Sequence, residues 1–195
     1  LIAAPLHQHS GVGRSFSRAS TGAIERTPIE SAQGRLEAYA IDGTPAQTVV
    51  HALTELAPHR PDLAVIGINY GENVGSDITG SGTVGAAIEA AASAIPALAV
   101  SLQTETEYHF SHSNDIDFGI AAHWTRRLAE RLLAPGAALP PDVDLLKVDV
   151  PQGATRDTPW RVTRVSRQRY FEAVVEPRAD LADAQPLGYK VRSEW

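Results

Sequence analysis

Short apolar runs alternate along this chain with segments of helical periodicity, and this alternation limits the possible folds more than any other feature. Strand-like runs lie at 1–4, 36–41, 62–68, 96–102 and 145–150, and helical patterns start at Pro45 and span 83–94 and 117–134. Runs that are apolar at nearly every position are typical of strands covered on both faces. The spacing suits strand–helix–strand units, so we predict an α/β fold with a mostly parallel sheet and helices on both faces.

The texture of the sequence changes after Pro151. Segment 161–166 resembles a strand, Arg164, Arg167 and Arg169 are basic, and the following residues are polar. We therefore predict an α/β core at 1–151 and a β-rich appendage at 152–195 that serves oligomerisation.

Composition excludes several classes of function. The 195 residues carry a net charge of -6, which argues against a protein that coats nucleic acid. The absence of cysteine excludes disulfides, thiolate zinc sites and cysteine nucleophiles, and it fits a reducing compartment such as the cytoplasm. We find no apolar run of about 18 residues, so we expect no membrane span.

The segment 67–90, GINYGENVGSDITGSGTVGAAIEA, places glycines, asparagines and hydroxyls between a strand and a helix. Gly80-Ser81-Gly82-Thr83 opens the helix, where unpaired N–H groups and the helix dipole favour an anion such as phosphate. An equally consistent interpretation is that Ser81 only caps the helix and the glycines only shape a turn. No lysine follows the last glycine, so this is not a Walker loop.

Three loops are predicted to leave the carboxyl ends of strands and to meet at one edge of the sheet: 7–14, 69–82 and 103–117. Asn69 and Asn73 offer amide oxygens suited to magnesium or manganese, and Ser10 offers a hydroxyl. Without further information, loop-fixing hydrogen bonds explain the asparagines better, and a simple turn explains Ser10 better.

Histidines in the third loop raise the alternative of a zinc hydrolase. His109 and His112 have H-x-x-H spacing, with Asp115 and Asp117 nearby. We expect surface histidines in a polar loop instead. No G-x-S-x-G motif is present, which counts against an α/β-hydrolase triad.

Taken together, these segments resemble the stationary-phase survival protein SurE family of metal-dependent nucleoside monophosphate phosphatases. The matching segments are APLHQHSGVGRS (4–15), DGTPAQTV (42–49), PDLAVIGINYGENVGSDITGSGTVGAA (61–87), IPALAVSL (95–102), LLKVDVPQG (145–153) and WRVTRVSRQRYF (160–171). The resemblance implies a Rossmann-like core, hydrolysis of nucleoside monophosphates with one divalent ion (Mn or Mg), and a homodimer or homotetramer.

The resemblance also implies roles for individual residues. Ser10 and Asn69 match metal ligands of the family. The positions that hold the substrate phosphoryl group match Asn73, Ser81, Gly82 and Thr83.

The chain departs from the family pattern in several places. Nothing matches the family's Asn-Asp-Asp-Gly signature, whose aspartates supply the main metal charge, so we expect the sequence to be part of a longer chain. Leu6 and His7 replace an Asp-Arg pair, Ser76 replaces an acidic residue, and Asp149 replaces an asparagine. The alternative is a homologue that binds phosphate or nucleotides without catalysis and acts as a regulator or assembly partner.

Overall fold

A computed structural model describes residues 1–32, 34–109, 111 and 113–192 of the protein. The strands in these ranges are β1 (Ile2–Pro5), β2 (Ile24–Ser31), β3 (Gly34–Ile41), β4 (Ala64–Tyr70), β5 (Ala97–Leu102), β6 (Leu145–Val150), β7 (Phe171–Val174) and β8 (Gly188–Val191). The α-helices there are α1 (Pro45–His51), α2 (Gly82–Ala92) and α3 (Gly119–Leu132). Within the described ranges, no helix is long and apolar enough to cross a lipid bilayer.

The central sheet is parallel, in the order β4-β5-β6, and β5 is buried along its whole length. Side chains alternate between the two faces of a strand. Ala97 and Ala99 of β5 therefore pack with α2, whereas Leu98 and Val100 pack against Trp124 of α3. Small residues let α2 lie close to one face, and larger residues fill the space under α3. The predicted α/β fold with helices on both faces is confirmed.

A second sheet has the order β1-β3-β2, with β1 parallel and β2 antiparallel to β3. Strand β2 was not predicted from the sequence. Its residues IERTPIES are mostly polar and mostly exposed, so they lack the apolar run by which a buried strand is recognised. Pairing with β3, rather than burial, holds this strand in place.

Helix α1 begins as the sequence predicts. Thr44 Oγ1 accepts the Gln47 N–H at 3.2 Å, and Gln47 Oε1 accepts the Thr44 N–H at 3.1 Å. This reciprocal capping box satisfies two N–H groups that have no helical partner. The helix ends at His51, and Ala52–Leu56 continues as a wider π-type turn.

Two predicted strands differ from the structure. The strand predicted at 62–68 runs from Ala64 to Tyr70, and its register shifts between Ile66 and Asn69. Gly67 lies in that irregularity with φ +121°, where a Cβ would stand 2.4 Å from the Val100 carbonyl oxygen, so only glycine fits. The strand-like segment 161–166 is irregular, and that prediction is wrong. Its Val162 is 88% exposed, so an apolar residue there reflects no sheet packing.

Candidate functional site

The carboxyl ends of β1 and β4 open into one cleft of about 960 Å³. Its lining includes every residue to which the resemblance gives a role: Ser10, Asn69, Asn73, Ser81, Gly82 and Thr83. The loops after β1, β4 and β5 all line this cleft, as predicted, although β1 belongs to a different sheet from β4 and β5.

The N-terminus of α2 forms the floor of the cleft. Ser81 is the N-cap, and its Oγ accepts the Val84 N–H at 3.2 Å. The Gly85 N–H bonds the Ser81 carbonyl, so the N–H groups of Gly82 and Thr83 are the ones without a helical acceptor. The structure shows that the Ser81 hydroxyl caps the helix, and that Gly82 and Thr83, whose N–H groups have no helical acceptor, line the cleft.

The first loop lies directly on this helix start. The Gly13 N–H donates to the Gly80 carbonyl at 2.9 Å. A Cβ on Gly85 would lie 2.3 Å from the Gly13 carbonyl oxygen, and Gly13 itself has φ +55°. Backbone therefore packs on backbone without side chains between them. This contact places the exposed Ser10 at the mouth of the cleft.

Asn69 lies at the end of β4 and faces the helix start. Its Nδ2 donates to the carbonyls of Tyr70 and Gly71 at 2.9 and 2.8 Å, which fixes the plane of the amide. Its Oδ1 accepts the Thr83 hydroxyl at 3.3 Å, a long hydrogen bond. The Asn69 amide oxygen is thereby directed toward the N-terminus of α2.

Asn73 is held at two atoms by the central sheet. Its Nδ2 donates to Ser101 Oγ at 2.8 Å, and its backbone N–H donates to Asp149 Oδ1 at 3.0 Å. An amide nitrogen carries two hydrogens, so one remains for a ligand in the cleft.

The donor types present suit a divalent ion only in part. Ser10 and Asn69 offer neutral oxygens, which magnesium and manganese accept as ligands. No group of three or more His, Cys, Asp or Glu side chains that could hold a metal occurs in the described part of the chain. Two neutral oxygens are too few to hold such an ion, so the described residues do not form a complete metal site.

The histidine alternative finds no support in the described residues. His109 is 8% exposed, so the expectation of a surface histidine is wrong for this residue. Its Nδ1 lies 2.9 Å from the Tyr189 hydroxyl, and its ring packs against Gly71. His112 lies outside the described residues. Asp117 Oδ1 accepts the Gly119 N–H at the start of α3, away from the cleft lining.

The opposite wall of the cleft comes from the C-terminal hairpin β7–β8, which sequence reasoning missed. Asp77 Oδ2 accepts the backbone N–H groups of Tyr170 and Phe171 at 2.7 and 2.9 Å. The rings of Phe171 and Tyr189 pack around His109. The local sequence around RQRYF gives no signal for this role, because the Asp77 hydrogen bonds join residues 93 and 94 positions apart.

A buried carboxylate connects this wall to the loop after β4. Glu72 is 7% exposed, and its Oε2 has no hydrogen-bond partner among the described residues. Burial is the main cause, and a hydrogen bond to Glu72 the second, that raise the pKa of Tyr170 to about 12. Burial also raises the pKa of Tyr189, with Glu72 adding to the effect. Both phenols therefore stay neutral at ordinary pH.

Comparisons with known proteins give the cleft a family context. The chain is 41% identical over 175 residues to a protein named 5'-nucleotidase SurE from Thermococcus gammatolerans, covering 90% of this chain and 63% of that protein. It is also 41% identical over 188 residues to 5'-nucleotidase SurE from Methanothrix thermoacetophila, covering 92% of this chain and 67% of that protein. The chain thus spans about two thirds of the length of these relatives.

A solved structure and a family model agree with these relatives. The crystal structure of a SurE protein from Aquifex aeolicus matches with a TM-score of 0.66 and 27% identity, over 97% of this chain and 70% of that one. The model of the family described as Survival protein SurE matches residues 1–172, which include both walls of the cleft as far as β7. The chain belongs to the SurE family of survival proteins.

Proposed function

We propose that this protein hydrolyses the phosphomonoester bond of nucleoside monophosphates, releasing nucleoside and inorganic phosphate, as the names of its relatives describe for them. One observation carries the proposal. The N-terminus of α2 opens into a cleft that also holds Asn69 and Asn73, so the free N–H groups and the amides converge on one space.

The chain's own contribution is to bind and orient the phosphoryl group. The N–H groups of Gly82 and Thr83, together with the helix dipole, stabilise negative charge at this point. The Nδ2 hydrogen of Asn73 that is not bonded to Ser101 donates to the phosphoryl group. In hydrolysis a water oxygen adds to phosphorus while the ester P–O bond breaks, and fixed donors stabilise the charge on the remaining oxygens.

The proposal includes one divalent ion, manganese or magnesium. Ser10 and Asn69 would be two of its neutral ligands. Because the described residues do not complete the site, no step of the reaction is assigned to the ion.

The test is phosphate release from AMP, GMP, CMP and UMP by the protein as its gene encodes it, with manganese or magnesium and with EDTA. We expect release that needs the metal and that falls at least tenfold in Asn69→Ala. Asn114→Ala, an exposed asparagine outside the cleft, is the matched control and should leave release unchanged. Binding of AMP without release under any condition would contradict hydrolysis and support the binding-protein alternative.

We further propose that the segment after Pro151 makes contacts between copies of the chain. Val162 and Leu181 are 88% and 89% exposed, and exposed apolar side chains of this kind are typical of surfaces that bind another chain. Light scattering should give the mass of a dimer or tetramer, and Leu181→Asp should lower that mass. A monomeric wild-type chain would contradict the proposal.

A further inference from the structure

A charged pair lies next to Asn73, outside the residues that line the cleft. Lys147 and Asp149 are two residues apart on β6, so their side chains lie on the same face of that strand. Their side chains are 16% and 30% exposed, and the Lys147 ammonium forms an ion pair with Asp149. Neither residue lines the cleft.

The register of the central sheet places this pair beside the other contact of Asn73. Asp149 on β6 is opposite Ser101 on β5. Asp149 Oδ1 accepts a hydrogen bond from the backbone N–H of Asn73, and Ser101 Oγ accepts one from the Nδ2 of the same residue. Neighbouring strands therefore hold the backbone and the side chain of Asn73. Two anchors on a rigid sheet define where the amide points.

The charge of Asp149 needs a counter-charge at this position. A carboxylate near a bound phosphoryl group repels it, and the repulsion is stronger where water is excluded. The Lys147 ammonium offsets that charge. Burial has the largest influence and lowers the pKa of Lys147. Asp149, and to a smaller extent Glu72, raise it and so favour the charged ammonium. The pair is only partly buried, so water screens it in part, but removing one partner still leaves the other charge without its counter-charge.

We propose that Lys147 and Asp149 are positioning residues that fix Asn73 against the substrate phosphoryl group, without touching the substrate themselves. Asp149 supplies the acceptor that holds the Asn73 backbone, and Lys147 makes that carboxylate compatible with a bound anion. The inference rests on the proposed function, because it assigns Asn73 to the phosphoryl group.

The test is a double-mutant cycle between positions 149 and 73. Asp149→Ala removes the acceptor, and we expect kcat/KM for AMP to fall 10- to 100-fold, most of it in kcat, with the free energy of unfolding recorded in parallel. In an Asn73→Ala background, the same change should lower kcat/KM less than threefold, because the amide that the carboxylate positions is already gone. Arg126→Ala breaks an exposed ion pair on α3 and should change neither quantity.

A charge-neutral pair separates positioning from folding. Lys147→Asn keeps the acceptor for the Asn73 N–H but leaves the Asp149 carboxylate without its counter-charge near a bound anion, so kcat/KM should fall. Adding Asp149→Asn removes that negative charge while keeping an oxygen acceptor, and should recover at least a third of the wild-type value. The positioning role would be overturned if Asp149→Ala lowered kcat/KM equally with and without Asn73. It would also be overturned if the neutral pair recovered none of the lost kcat/KM.

Failure of the proposed function would look different. If the wild-type protein releases no phosphate, the same cycle is read from binding of inorganic phosphate. If Asp149→Ala then weakens phosphate binding only when Asn73 is present, the positioning role is supported and hydrolysis is rejected. Hydrolysis without coupling between positions 149 and 73 would reject the positioning role alone. A wild-type chain that neither hydrolyses AMP nor binds phosphate would overturn both.

Discussion

The two walls of the cleft are built by different means. The wall formed by the first loop and the N-terminus of α2 depends on backbone packing, with Gly13 and Gly85 in direct contact. The wall formed by β7–β8 depends on side chains: Asp77 holds the hairpin by two N–H groups, and aromatic rings surround His109. Glycines leave little freedom to change the first wall, whereas the second wall tolerates substitutions that keep its acceptors and rings.

The largest effect is expected from a methyl group in the first wall. Gly85→Ala puts a Cβ at 2.3 Å from the Gly13 carbonyl oxygen, so the loop that carries Ser10 must move. Overpacking of this kind costs about 1–3 kcal/mol. We expect a loss at the upper end of that range in urea unfolding, and weaker phosphate binding.

Gly153→Ala is the matched control, because a Cβ there meets no atom within 4 Å. It should leave the free energy of unfolding unchanged. Equal stability of the two variants would show that the first wall is not closely packed.

The next effect concerns the hairpin wall. Asp77→Ala removes the acceptor of two backbone N–H groups at the start of β7. Leaving such groups without partners costs about 1–3 kcal/mol. We expect faster tryptic cleavage at Arg178 and Lys190 and a lower affinity for AMP.

Asp77→Asn retains one oxygen acceptor, so its rate of tryptic cleavage should lie between those of the wild type and Asp77→Ala. Asp157→Ala, at an exposed carboxylate outside the cleft, is the control. Unchanged proteolysis in Asp77→Ala would mean that the aromatic contacts alone hold the hairpin.

A smaller effect is expected at the helix cap. Ser81→Ala removes the acceptor of the Val84 N–H, which costs about 1 kcal/mol, whereas glycine at an N-cap costs a few tenths. Ser81→Gly should therefore be more stable than Ser81→Ala in urea unfolding. The reverse order would contradict an N-cap conformation at position 81.

The smallest effect is a dependence of stability on pH. The pKa of Tyr170 is raised to about 12 in the folded protein, against 10.0 for an ordinary tyrosine. The folded state therefore keeps this proton while the unfolded state loses it, so the stabilisation is complete below pH 10 and is lost as the pH rises toward 12.

Tyr170→Phe has no phenol to titrate, so the slope of its unfolding free energy between pH 10 and 12 should be less negative. Tyr108→Phe, at a half-buried tyrosine that does not line the cleft, provides the comparison for tyrosine removal elsewhere. Identical slopes in the wild type and Tyr170→Phe would contradict burial of the Tyr170 hydroxyl beside Glu72.

Sequence alone predicts the elements whose signals are local. The capping box at Thr44 and Gln47 and the strand at Leu145–Val150 are found as predicted, because turn chemistry and apolar runs act over a few residues. The α2 start could be recognised from Gly80 to Thr83 for the same reason.

The features that sequence did not predict depend on distant partners. Strand β2 is polar and exists by pairing with β3. Asp77 and His109 read as loop residues, and only the fold brings the hairpin against them. The position of Asp149 opposite Ser101, where both residues bond Asn73, follows from sheet register, which a single sequence does not specify.

The most direct test of the central claim is an AMP titration followed through the backbone amide resonances of the ¹⁵N-labelled protein. The account predicts that the largest shifts occur at Gly82 and Thr83, with a further change at Asn73, and that inorganic phosphate alone reproduces them. Shifts confined to other surfaces, with the start of α2 unaffected, would contradict the claim that this helix N-terminus holds the phosphoryl group.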